Sequence, residues 1–130
     1  MLKAYKYRIY PNMEQRVQIA KTFGCCRFVY NRTLAYRKEM YEKEKKSVSK
    51  TDCNNYCNRE LKKENEWLKE VDKFALMNAI YNMDSAYQKF FKEHAGYPKF
   101  KSKHDSHRSY TTNFTNGNIA ADFERNKVKL

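Results

Sequence analysis

The segment from Lys73 to His94 constrains this chain more than any other, because Leu76, Ile80, Met83, Tyr87, Phe90 and His94 recur at spacings of four and three. At 3.6 residues per turn these positions form one apolar seam, and a helix carrying such a seam must cover it with other elements. A second stripe, Phe74, Met77 and Tyr81, lies well away from the first at 100° per residue. Either the helix packs on two sides or it shows aromatic surface to a partner.

The flanking sequence supplies the covering elements. After Ala4, Tyr5, Tyr7 and Ile9 alternate with Lys6, Arg8 and Tyr10, the pattern of a half-buried strand with a basic outer face, ended by Pro11 and Asn12. Residues 14–23 read as a short helix broken at Gly24, and a second helix runs from Arg27 into the 40s with Tyr30, Leu34 and Tyr41 at helical spacing. Glu44 to Lys50 is charged and lacks an apolar period, which predicts a mobile loop. Thr51 or Asp52 would cap a helix over about 52–65, with Trp67 and Leu68 as anchors closing the bundle. Gly96 and Pro98 stop the seam helix. Lys99, Lys101 and Lys103 then alternate with Phe100 and Ser102, placing three charges on one side of an extended chain. Tyr110 to Phe114 and Asn118 to Phe123 read as short strands around an Asn116-Gly117 turn, and Lys127 to Leu130 begins another.

The chain has 130 residues, room for one compact domain, and carries 27 Lys and Arg against 15 Asp and Glu, a formal net charge of +12. Residues 1–50 hold 13 basic and 4 acidic side chains, residues 51–97 hold 7 and 8, and residues 98–130 hold 7 and 3. Two basic ends around a neutral middle favour a polyanionic partner, nucleic acid first, if the ends meet in space. No run of about 18 apolar residues and no signal-type stretch exists, so the expectation is a soluble, cytoplasmic protein with no membrane partner.

Catalytic patterns are poorly supported. There is no phosphate-cradling Gly-rich loop, no nucleophile elbow and no helical His-Glu-x-x-His, and Asp52, Asp72, Asp84, Asp105 and Asp122 are scattered over caps, helices and loops. A Cys2His2 set of Cys53, Cys57, His104 and His107 can be written down, but the separation of its halves matches no compact zinc finger. These cysteines, with the vicinal Cys25 and Cys26, read as reduced, partly buried thiols. What carries a mechanism is the interleaving of basic residues with 11 Tyr and 8 Phe, since cations neutralise phosphates while aromatic rings stack on bases or fill grooves.

Six stretches occur in an order that resembles the amino-terminal region of TnpB (OrfB) proteins of bacterial insertion sequences, RNA-guided nucleases related to compact type V CRISPR effectors. They are residues 5–12, Gly24 with 27–31, 67–72, 86–91, 98–103 and 110–116. The resemblance implies an α+β fold in which a helical recognition bundle (13–95) is inserted between a first strand (1–12) and the later strands (96–130) of a partial, wedge-like antiparallel β-barrel. It implies guide RNA and target-adjacent double-stranded DNA as partners. The RuvC-like catalytic acids with their divalent metal, and a zinc element, belong to a carboxyl-terminal nuclease portion beyond residue 130, so the chain itself is expected to bind no metal or other cofactor and not to cut. Position by position, Lys73, Phe74 and Met77, with Lys50, Asn54 and Thr115, resemble duplex-contacting residues. Tyr7, Arg8, Lys99, Lys101 and Lys103 resemble RNA or phosphate contacts. Lys50 and Met77 stand where aromatic or amide side chains are usual, so a different motif is implied. Two alternatives remain at this point: a stand-alone helix-turn-helix DNA binder with helices 14–23 and 27–45 and Gly24 in the turn, and a basic structural or protein-interaction domain.

Overall fold

A computed structural model describes residues 4–93, 96, 98–102, 109–113, 119–122, 124, 125 and 127–129. The chain enters its first helix, α1 (Met13–Glu44), through a capping box: Asn12 Oδ1 accepts the Gln15 backbone N–H at 2.9 Å and Gln15 Oε1 accepts that of Asn12 at 2.9 Å. The helix continues for 32 residues, roughly 48 Å at 1.5 Å per residue, and stops at Lys45, whose φ of 52° turns its N–H back onto the carbonyls of Met40 and Tyr41. The expected break at Gly24 is therefore absent. One glycine disfavours a helix by only about 1 kcal/mol, and the packed face on both sides of it outweighs that. With the break goes the version of a helix-turn-helix that put its turn at Gly24.

A short connection leads to α2 (Lys50–Tyr56), which continues through a π-helical turn (Cys57–Leu61) into the single turn α3 (Lys62–Glu64). Ser49, and not Thr51 or Asp52, is the N-cap; Asp52 is its reciprocal partner three residues on. Nor is the connection merely a solvated loop, because Val48 is only 2% exposed and plugs into the core. A 3₁₀ turn (Glu66–Glu70) then delivers the chain to α4 (Lys73–Lys92), capped by Asp72, whose carboxylate accepts the Phe74 N–H at 2.9 Å.

Contacts fix how these helices run. Cys26 meets Ala75 and Arg37 meets Asp84, so α1 and α4 are parallel. Tyr36 stacks on Tyr56, Phe28 meets Trp67 and Lys50 reaches Tyr81, so the segment from α2 to the 3₁₀ turn runs antiparallel to both. The result is an up-down-up bundle. Its core joins Val29 and Leu34 of α1, Val48, Cys53, Cys57, Leu61 and Leu68 of the middle segment, and Leu76, Ile80 and Met83 of α4. Burying each large side chain contributes about 1.5–3 kcal/mol, which makes this seam the main source of stability. Leu76, Ile80, Met83 and Tyr87 are buried as the periodicity predicts, Phe90 is half-buried, and His94 lies outside the described residues. Trp67 does less than expected, remaining 42% exposed with its ring edge-on to Phe28 at 4.8 Å, while Leu68 is fully buried.

The wedge-like β-barrel is overturned: the fold is predominantly helical. Among the described residues the only strands are β1 (Ala120–Asp122) and β2 (Lys127–Lys129), an antiparallel ribbon pairing Ala121 with Val128. Residues 4–12 form no strand, and 4–10 are exposed. The period of two survives only locally, in the stacked rings of Tyr5 and Tyr7 with centroids 6.3 Å apart. A strand needs a ladder partner, and the segment expected to supply one is engaged elsewhere. The Thr111 carbonyl and the Asn113 side chain accept from Asn78 Nδ2, and Thr112 donates its hydroxyl to Asp72, so residues 111–113 lie as a strap on α4. The ribbon turns around Glu124 and Arg125; Asn116 and Gly117 fall outside the described residues. No helix among those described is long and apolar enough to cross a membrane.

Candidate nucleic-acid interface

The second stripe of α4 has a definite place. Phe74, Met77 and Tyr81 are half-buried on a face roughly 120° from the core seam, so they are neither sealed inside nor fully free. Cations flank the stripe at both ends: Lys73 Nζ lies 5.2 Å from the Phe74 ring centroid, and Lys50 Nζ, from the first turn of α2, lies 4.8 Å from that of Tyr81. Between Phe74 and Tyr81 the helix rises about 10 Å. A polarised ammonium above an aromatic face keeps its charge toward solvent while its stem covers apolar surface. The arrangement can offer two phosphate-neutralising cations with flat, polarisable surface between them. Asn54 is half-buried one turn along α2 from Lys50.

The other sequence-selected residues separate into those the fold brings in and those it does not. Lys101 is clamped to α1, its backbone N–H donating to Asn31 Oδ1 at 2.7 Å and its carbonyl accepting from Asn31 Nδ2 at 3.0 Å. Its ammonium sits 4.8 Å from the centroid of the buried Tyr30 ring. Lys99 is exposed beside Phe100, which is 55% exposed, so one basic and one aromatic side chain stand open next to the clamp. Tyr7 and Arg8 are exposed on the extended segment before α1. Lys103 and Thr115 lie outside the described residues, as do His104 and His107. Sequence reasoning missed the tethers Asn31, Asn78 and Asp72; their signal is an amide or carboxylate on a helix flank facing a segment that must satisfy its own backbone.

Beneath the strap, between α1 and α4, lies a cavity of about 240 Å³ lined in part by Gly24, Cys26, Ala75, Ala79 and Tyr110. Burial pushes the Cys26 thiol up to about 12 and the Cys53 thiol to about 11, so both stay protonated and unreactive at neutral pH. Cys25, Cys53 and Cys57 are buried and all four cysteines are free thiols. Among the described residues no group of three or more His, Cys, Asp or Glu side chains converges as a metal site.

Residues 1–46 match the helix-turn-helix domain of IS605-type OrfB proteins, a span that covers the extended segment, α1 and the start of the turn into α2. A protein of Streptomyces pristinaespiralis named as an RNA-guided DNA endonuclease is 36% identical over 109 residues, 82% of this chain and 27% of its own length. The protein of Escherichia coli K12 named as the RNA-guided DNA endonuclease InsQ is 31% identical over 104 residues, 78% of this chain and 26% of its own. Virulence protein VsdF of Salmonella dublin is 36% identical over 114 residues, covering 80% of this chain and 96% of that protein. The chain belongs to the TnpB/OrfB family. It spans about a quarter of the length of the two endonuclease-named relatives. In this TnpB-type chain the matched span ends in the turn after α1, ahead of α2 with Lys50 at its first position.

Proposed function

We propose that this chain is the nucleic-acid-binding module of a TnpB-type, transposon-associated RNA-guided DNA endonuclease. In this reading it holds guide RNA and reads duplex DNA beside the target, and the cutting chemistry with its metal ions resides in parts of the family's proteins outside these 130 residues. The observation that carries the proposal is the stripe of Phe74, Met77 and Tyr81 on α4, held at the surface between Lys73 and Lys50. The lysines position the phosphate backbone; Phe74 and Met77 meet groove edges, where apolar contact discriminates bases. The formal charge of +12 supplies the sequence-independent part of the affinity. Lys99, Lys101, Tyr7 and Arg8 are assigned to the RNA.

The test is fluorescence anisotropy against a panel of short duplexes over a range of salt. Affinity falls steeply with salt, and Lys73→Ala with Phe74→Ala reduces preference for one duplex motif more than it reduces general affinity. Salt-independent binding, or an equal loss on every sequence, overturns the assignment.

A further inference from the structure

Where α1 ends and α4 finishes, a cleft of about 350 Å³ opens between Arg37 and Tyr41 of α1, Lys46 of the turn, and Tyr87, Gln88 and Lys92 of α4. Its floor is electrically settled: the Arg37 guanidinium is 2.7 Å from Asp84 Oδ1 and lies 4.1 Å from the Tyr87 ring centroid. Its rim is not. Lys46 and Lys92 are exposed, no carboxylate is among the described residues lining the cleft, and neither lysine pairs with one among the described residues. Tyr41 stands 51% exposed at the edge, with the Lys45 ammonium 5.5 Å from its ring centroid. The volume sits at the lower end of small-ligand sites, which run from about 300 to 1,000 Å³. That suits one nucleotide and excludes a duplex.

Position along α4 ties the cleft to the interface. Gln88 follows Phe74 by fourteen residues, about 21 Å along the helix, and returns to within about 40° of the same face. A strand leaving a duplex on the stripe would arrive at the cleft. We propose that the cleft seats one unpaired nucleotide of such a strand, its base against Tyr41, its phosphate between Lys46 and Lys92, and the Gln88 amide toward the base edge. This rests on the nucleic-acid reading of the α4 stripe and extends it to a single-stranded element.

The test uses the full chain with a blunt labelled duplex and with the same duplex bearing a four-nucleotide single-stranded extension, made in both DNA and RNA. Tyr41→Ala lowers affinity for the extended probes about ten-fold, the effect of losing one base stack, and leaves the blunt probe unchanged. Tyr41→Phe retains both affinities, because stacking needs the ring and not the hydroxyl. Lys46→Ala with Lys92→Ala flattens the salt dependence on the extended probes by about 0.7, the value for one phosphate contact on a single strand. The larger effect on the RNA or the DNA extension identifies the strand. Melting of each variant by circular dichroism separates lost contact from lost fold. No loss for a folded Tyr41→Ala, or an equal loss on blunt and extended probes, overturns the cleft, as does displacement of the extension by a free mononucleotide at comparable concentration. If the wild type ignores blunt duplex yet binds the extension in a Tyr41-dependent way, the cleft stands and the duplex role of the α4 stripe falls.

Discussion

Replacing Asp84 by Asn isolates Arg37, the one charged side chain buried among the described residues. The Arg37 side chain is 5% exposed and that of Asp84 16%, with 2.7 Å between guanidinium and carboxylate, so the pair is largely removed from water. Breaking a buried pair from one side costs about 3–5 kcal/mol, because the remaining charge is left uncompensated. Asn retains an acceptor and the Tyr87 ring still faces the guanidinium, which puts Asp84→Asn at the lower end, about 3 kcal/mol. With an m-value of about 2 kcal/mol/M for a chain of this size, the urea midpoint falls by roughly 1.5 M. Replacing both partners by apolar residues, Arg37→Met with Asp84→Leu, recovers most of the loss, since no charge then remains to desolvate. Urea unfolding followed by helical ellipticity reads all three proteins. A loss below about 1 kcal/mol for Asp84→Asn, the range of exposed pairs, would show that water reaches Arg37 and would refute the reasoning.

Two further outcomes follow from the same packing. Gly24→Ala stabilises by about 0.5–1 kcal/mol, because the site is mid-helix and an added Cβ meets no atom within 4 Å; a lower melting temperature in a thermal scan would mean the surrounding cavity is closed to it. The raised thiols of Cys26 and Cys53 make stability depend on alkaline pH. The unfolded thiol ionises near 8.5, so this contribution is complete below that pH and is lost as pH rises through about 11 to 12. Cys26→Ala with Cys53→Ala should flatten the decline of the urea midpoint between pH 9 and 11, and an unchanged slope counts against buried neutral thiols.

The unbroken course of α1 is hidden in the sequence for a reason visible in its buried face. Thr22, Thr33 and Arg37 occupy core positions beside Cys25, Val29 and Leu34, so no continuous apolar period crosses Gly24. The threonine hydroxyls are satisfied within the helix, Thr22 donating to the Gln18 carbonyl at 2.9 Å and Thr33 to that of Val29 at 2.7 Å, and Arg37 is satisfied by Asp84 from another helix. Polar residues with partners can be core, but their partners are not adjacent in sequence. Val48 escaped notice in a charged stretch for a related reason: a single apolar residue has no period.

What the residues determined unaided is the α4 seam, the separate stripe on the same helix and the excess of positive charge, all of which depend on composition, local order and helical geometry. The order of the six stretches also pointed to the family. Only the tertiary structure decided that α1 runs unbroken, that residues 111–113 strap onto α4 in place of a sheet, and that Lys50 and Lys73 bracket the aromatic stripe. Each of those depends on which distant group satisfies a backbone amide, a carboxylate or a ring face, and such pairings leave no period along the chain.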